Sequence, residues 1–234
     1  MSHSKKIARL GMLSAACATL LALAMPASAS QVLLRTDLHG TDFIDWGVAL
    51  GRDGSTFAGP KAITTHVGLD AEVDVVDGLL TRQNQGTSWF GNFAPGARLL
   101  SAGKVFPEGP ISITFVDGLS AIGAQIETRA YSPPDFDGVI AVYDQFSHLL
   151  ETYTRKGHSV NFADDSAIFL GVARSTADIF RVDFNIGVPF FEFSINQVDL
   201  IAGVATPPLP EPSGLSLLGL ALLGVALLRR RLPG

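Results

Sequence analysis

Hydrophobic and polar residues alternate with a period of two through most of the chain between its two ends. The segment ISITFV at 111–116 places three apolar side chains on one face and serine and threonine on the other. IFRVDF at 179–184 and FEFSIN at 191–196 repeat this pattern. Such alternation is typical of β-strands that bury one face. The same reading predicts further strands at 62–67, 71–76, 121–129, 139–143, 149–155 and 167–173.

Turn-forming pairs separate these apolar stretches. Asp-Gly occurs at 53–54, 77–78, 117–118 and 137–138, and proline pairs with glycine at 95–96. Many short strands divided by such turns indicate an antiparallel β-sandwich, and no segment of the body has a convincing amphipathic helix pattern. We expect an all-β fold over 31–205, a jelly-roll-like β-sandwich first and an immunoglobulin-like sandwich second.

The N-terminus has the pattern of a secretory signal peptide. Lys5, Lys6 and Arg9 precede an apolar run from 10 to 24, and Ala27 and Ala29 form a small-residue exit. These three parts predict a signal peptide over 1–29 with cleavage after Ala29. An uncleaved anchor helix is the alternative.

Composition excludes several classes of function for the exported body. The single cysteine, Cys17, lies inside the signal peptide, so the body has no disulfide, no cysteine nucleophile and no thiolate ligand. Between residues 31 and 206 there are 11 basic and 21 acidic side chains, a formal charge of −10. A body this acidic repels a phosphate backbone, so we expect no nucleic-acid partner.

The C-terminus predicts a membrane segment. Residues 206–212 are rich in proline, 213–228 carry no charge, and Arg229, Arg230 and Arg231 follow. A helix over 213–228 would span roughly 24 Å, somewhat less than a hydrocarbon core of about 30 Å. The arginines in the tail 229–234 would stay in the cytoplasm by the positive-inside rule, which places the body outside.

Pro210, Glu211 and Pro212, followed by a short apolar helix and terminal arginines, resemble the PEP-CTERM sorting signal of Gram-negative bacteria. The resemblance implies recognition of this tripeptide by an exosortase, an inner-membrane enzyme similar to a transpeptidase. It also implies transient residence in the inner membrane, then delivery to the cell surface or extracellular space. Such systems accompany exopolysaccharide production and biofilm formation. An ordinary C-terminal anchor remains the alternative.

The body resembles a largely uncharacterised domain of secreted PEP-CTERM proteins. The segments that carry this resemblance include QNQGTSWFGNFAPGARLL, AIFLGVARSTADIFRVDF and FEFSINQVDL. Membership implies a β-sandwich similar in outline to carbohydrate-binding and lectin folds. It implies no established activity.

Aromatic residues in glycine-rich loops are candidate glycan contacts. Trp46, Trp89 and Phe90 would stack on sugar rings, and Asn92 would hydrogen-bond to hydroxyl groups. The alternative is that the large rings plug the core, since large aromatic side chains are mostly buried.

The sequence predicts no catalytic residue. GTSWFG and GLSAIG both lack the second glycine of a nucleophile elbow, and no H-E-x-x-H zinc motif is present. Asp135 and Asp137 are candidate ligands for a structural calcium ion. We expect a non-enzymatic structural or glycan-binding protein linked to exopolysaccharide. The alternative is an extracellular glycan-active hydrolase that uses a pair of carboxylates.

Overall fold

The computed structural model describes residues 28–76, 78–102, 109–129, 134–187 and 192–203. Nearly all of the predicted signal peptide, the proline-rich linker, the apolar segment 213–228 and the arginine tail lie outside these residues. Within the described ranges, no helix is long and apolar enough to cross a membrane.

Short antiparallel strands account for most of the described chain. Two single-turn helices, α1 (Arg35–Leu38) and α2 (Trp46–Ala49), follow the first two strands. The strands are β1 (Ala29–Val32), β2 (Asp42–Ile44), β3 (Thr56–Ala58), β4 (Lys61–Thr64), β5 (Asp70–Val75), β6 (Leu79–Asn84), β7 (Arg98–Ala102), β8 (Ile111–Thr128), β9 (Asp135–Tyr143), β10 (Leu149–His158), β11 (Ile168–Arg174), β12 (Ile179–Ile186), β13 (Phe193–Ile195) and β14 (Val198–Ala202).

The long strand β8 joins two sheets. Its first half pairs with β5 on one side and β12 on the other, and β9 and β10 continue that sheet beyond β12. Its second half pairs with β11 on one side and with β14 and then β13 on the other. We call these the first and second sheets. Every strand pairing within these two sheets is antiparallel, so the predicted antiparallel all-β class is confirmed.

Two predicted turns are wrong: Asp137–Gly138 lies within β9, and Asp117–Gly118 lies within β8. The register against β12 shifts here: Thr114 pairs with Arg181, whereas Leu119 pairs with Ile179. A β-bulge of this kind bends a strand and lets it change partners. A side chain at Gly118 would overlap the carbonyl oxygen of Ala177, so glycine permits the close approach.

The main core lies between the two sheets. Ile111, Ile113 and Phe184 of the first sheet share one buried cluster with Ile122 and Leu200 of the second. This cluster is the expected result of alternating strands that turn their apolar faces toward each other.

The two lateral sides of the sandwich differ. On one side Arg155 of β10 donates hydrogen bonds to the carbonyl oxygens of Leu33 (2.7 Å) and Phe169 (3.0 Å), which tie the first sheet to the second. On the other side, among the described strands, β4 pairs with β5 alone and β2 pairs with β14 alone. These two edge strands flank a cleft of about 660 Å³.

Candidate functional site

A cleft of about 660 Å³ opens beside the edge strands β2 and β4. The side chains that give it chemical character are Phe43, Asp45, Val48, Thr64, His66 and Asp70. They come from β2, from the start of α2 and from the β4–β5 hairpin. The wall is thus half apolar and half polar.

A stacked aromatic pair forms one part of the cleft wall. The rings of Phe43 and His66 lie 4.5 Å apart, centroid to centroid, and are inclined by only 13°. The backbone holds them together, because the amide of His66 donates to the carbonyl oxygen of Phe43 at 2.8 Å. The amide of Val67 also donates to Asp42 Oδ1 at 3.0 Å. The His66 side chain remains exposed, so the pair presents a flat ring to the cleft.

The hairpin between β4 and β5 positions this histidine. The Thr65 amide donates to the carbonyl oxygen of Leu69 (2.9 Å), and the Leu69 amide returns a bond to Thr65 Oγ1 (3.0 Å). Gly68 adopts φ of 96°, a left-handed conformation that glycine accepts without strain. The tight turn therefore places His66 directly above β2.

Polar groups complete the cleft. Thr64 and Asp70 are paired across the β4–β5 ladder, and both are exposed. Asp45 caps α2, since its Oδ1 accepts from the Gly47 amide at 2.8 Å, and its Oδ2 binds Arg98 at 2.7 Å. A flat ring beside carboxylate and hydroxyl oxygens can contact an apolar ring face and hydrogen-bond to hydroxyl groups at its edge.

The predicted stacking roles of Trp46 and Trp89 are wrong, because both rings are fully buried. Trp46 belongs to the main core, and its Nε1 donates to the carbonyl oxygen of Asn196 at 2.8 Å. Trp89 packs with Phe93 and Leu99 in a separate cluster. The alternative interpretation of these rings as core plugs is confirmed.

Asn92 and Phe90 also lie outside the cleft. Asn92 is buried. Its side-chain Nδ2 donates to Ser166 Oγ at 2.6 Å, and its side-chain Oδ1 accepts from the backbone amide of Val160 at 2.5 Å. It ties two loops together, so its predicted contact with sugar hydroxyls is wrong. Phe90 is 47% exposed, but its neighbours are buried and it does not line the cleft.

Glu127 is buried beneath the same loops. Burial raises its pKa to about 8, although the backbone N–H of Asn92 donates to its Oε2 at 2.7 Å. A side chain at Gly91 would overlap Glu127 Oε1, so the loop backbone closes over the carboxyl group. Burial thus favours the protonated form of Glu127, and its side chain is almost fully buried.

The calcium ligands predicted at Asp135 and Asp137 are each paired with a basic side chain. Asp135 contacts His158 Nδ1 at 2.7 Å, and Asp137 contacts Lys156 at 3.4 Å. In the part of the chain that the structure describes, no three histidine, cysteine or acidic side chains converge as a metal site. Calcium binding by these two aspartates stays a prediction.

The remaining predicted residues lie outside the described ranges. These are the motif Pro210, Glu211 and Pro212 and the terminal Arg229, Arg230 and Arg231. Conversely, the sequence did not single out Phe43 or His66 as a pair. The available signal was weak: each is next to a turn or strand end, and their contact joins positions 23 residues apart.

No family model and no curated protein matches this chain. Among solved structures, a DUF4465 family protein from Bacteroides caccae is similar, with 14% identity and a TM-score of 0.37, over 74% of this chain and 100% of that one. CsCBM6-3 from Clostridium stercorarium, determined in complex with cellobiose, has 11% identity and a TM-score of 0.23, over 66% of this chain and 92% of its own.

Proposed function

We propose that the body of this protein is a non-catalytic module that binds a glycan in the cleft between β2 and β4. The observation that carries the proposal is the stacked Phe43–His66 pair, which presents a flat ring at the open lateral side of the sandwich. A pyranose has an apolar face and a rim of hydroxyl groups. The ring would contact the face, and Thr64 and Asp70 would bind hydroxyl groups at the rim.

Removal of the exposed ring tests this proposal. With neutral hexasaccharides of β-linked glucose, xylose and galactose as probes, calorimetry should detect binding of at least one to the exported protein. His66→Ala should weaken that binding about fivefold, the equivalent of about 1 kcal/mol for a lost ring contact. His66→Phe should retain it, because a flat ring remains.

His148 offers a matched control, since it is an exposed histidine on the β9–β10 turn and does not line the cleft. His148→Ala should bind like the unmodified protein. Equal binding by the His66→Ala and unmodified proteins would refute the assignment of the cleft, and so would a failure to bind these probes and an acidic hexasaccharide alike.

A glycan-active hydrolase is the second candidate, because two carboxylates, Asp45 and Asp70, line the same cleft. Glycoside cleavage uses such a pair, one as acid and one as base or nucleophile. Release of reducing ends from the bound hexasaccharide, lost in Asp70→Asn, would favour this candidate. A bound ligand that stays intact would favour the module.

We further propose that the C-terminal tail delivers this module outside the inner membrane. The order of the Pro210–Glu211–Pro212 motif, the uncharged segment 213–228 and the three terminal arginines supports sorting by an exosortase-like enzyme. Glu211→Ala should leave export intact and hold the protein in the inner-membrane fraction. Release of that variant at the unmodified rate would leave only a membrane anchor.

A further inference from the structure

A second cleft of about 560 Å³ lies beside α2. Gly47, Val48, Arg82, Gln85 and Arg98 line it. Val48 borders both this cleft and the first one and is 79% exposed. A chain-like ligand seated on Phe43 and His66 can therefore continue across α2 into the second cleft.

Two arginines of neighbouring strands meet in this second cleft. In the β6–β7 ladder Arg82 pairs with Leu100 and Asn84 pairs with Arg98. Arg82 and Arg98 are thus diagonal neighbours on the same face, within reach of each other. A side chain at Gly47 would overlap Arg98 Cδ and lie 3.1 Å from Arg82 Nη2. Both guanidinium groups therefore pack against this one glycine.

Arg82 is buried and has an unused hydrogen-bond donor. Its side chain is only 4% exposed, and its Nη1 donates to the carbonyl oxygen of Gln83. Its Nε has no hydrogen-bond partner among the described residues, and the Asp53 carboxylate approaches no closer than 4.0 Å. Burial lowers the pKa of Arg82; the charge of Asp53 opposes this shift, and the nearby charge of Arg98 adds to it. A buried cation with an unused donor is costly unless an anion joins it.

The partner of Arg98 leaves it free to bind a second group. Asp45 contacts Arg98 Nη1 at 2.7 Å and is itself held by the Gly47 amide. A guanidinium carries five N–H donors in a planar fork, so one contact to Asp45 does not exhaust it. The Arg98 side chain is 50% exposed, which leaves the remaining donors open to the cleft.

We propose that the second cleft binds the carboxylate of an acidic sugar, so that the ligand of the first cleft is a uronate-containing glycan. This inference rests on the proposed glycan-binding function. The forked guanidinium matches a carboxylate in shape and charge. A generally basic surface could also cause a preference for polyanions. This body has no such surface charge, because its formal charge is −10. A preference for an acidic glycan must therefore come from local contacts.

The test compares hexagalacturonate with its methyl ester, which has the same rings and linkages without the charge. Calorimetry on the exported protein, in one buffer at fixed ionic strength, should show the acid binding at least about tenfold more tightly than the ester. Arg98→Gln should remove most of this preference, because binding of the acid should weaken to about the level of the ester.

Gly47→Ala is a second variant that does not depend on removing a charge. The new methyl group would overlap Arg98 Cδ and lie 3.1 Å from Arg82 Nη2; because the Arg98 side chain is half exposed it can move away, so we expect the fold to tolerate the change. Alanine also favours the helical conformation of α2 over glycine. We expect unchanged thermal unfolding together with loss of the preference for the acid.

Lys156→Gln is the charge-matched control, since Lys156 is 91% exposed on β10 and borders neither cleft. It should keep the full preference. If acid and ester bind equally, or if Arg98→Gln and Gly47→Ala keep the preference, the inference is overturned. In that case ester binding that still depends on His66 would leave the proposed function standing. If neither the acid nor the ester binds, both the inference and the proposed function are overturned.

Discussion

The two halves of β8 belong to one continuous strand and have opposite surroundings. In the first half, the buried residues Ile111, Ile113 and Phe115 alternate with more exposed positions such as Thr114. In the second half, every residue from 121 to 128 is buried. Along β8, the first sheet therefore has one solvent-exposed face, whereas both faces of the second sheet are buried.

The outer face of the second sheet is covered by loops and by α1, and it carries buried polar side chains beside two apolar clusters. Ile122 and Ile126 point into the main core, whereas Gln125 and Glu127 alternate to the other side. The Gln125 amide nitrogen donates to the carbonyl oxygen of Ala167 at 3.2 Å, and Glu127 accepts from the amide of Asn92. The covered face is thus a second interior, stabilised by hydrogen bonds as well as by apolar contact.

Trp89→Ala should have the largest effect on this comparison, because it removes a fully buried ring from the loop that covers the second sheet. We expect a loss of about 3–5 kcal/mol in the free energy of unfolding, measured by urea titration at pH 7. Val116→Ala, at a 70% exposed position in the middle of β8, should change it by less than about 0.5 kcal/mol. A loss below about 1 kcal/mol for Trp89→Ala would mean that the loop is only loosely attached.

The pH dependence of stability should come next in size. The pKa of Glu127 rises from 4.5 in the unfolded chain to about 8 in the folded one, chiefly by burial. Between these values the folded state binds more protons than the unfolded state. The free energy of unfolding is therefore undiminished by Glu127 below pH 4.5 and falls as the pH rises toward 8. The slope is at most about 1.4 kcal/mol per pH unit.

Glu127→Gln should flatten this slope, because the amide has no proton to lose in this range. The variant should gain stability over the unmodified protein as pH rises above 7, by urea titration across pH 5–9. Glu72→Gln, at an exposed acid on β5 beside the first half of β8, should leave the slope intact. A slope that persists in Glu127→Gln would assign it to another group.

Arg155→Ala should have the smallest effect of the three. It removes the hydrogen bonds from β10 to the carbonyl oxygens of Leu33 and Phe169, which close one lateral side of the sandwich. We expect a loss of about 1 kcal/mol in unfolding free energy. Lys156→Ala, at the adjacent exposed residue, should have no measurable effect, and an equal loss in both variants would show that the side is closed by other contacts.

Much of the fold was predictable from the sequence, and little of the site was. The predicted strands at 71–76, 139–143 and 179–184 correspond to β5, part of β9 and most of β12. Alternation finds such strands because it reflects which face meets the core. The same alternation gives no information on loops that fold over the outer face, which is why Trp89 was proposed as a ligand contact and is instead buried.

Sequence alone determined the all-β class, the acidic charge of the body and the apolar and basic composition of the two ends, because each depends on residues that are close together along the chain. The tertiary structure decided where β8 changes partners, which aromatic rings are buried, and which side chains meet in the clefts. These depend on contacts between distant positions, such as Asn92 with Glu127 or Gly47 with Arg98. A local hydrophobic pattern records which residues prefer the interior, but it does not record what covers them.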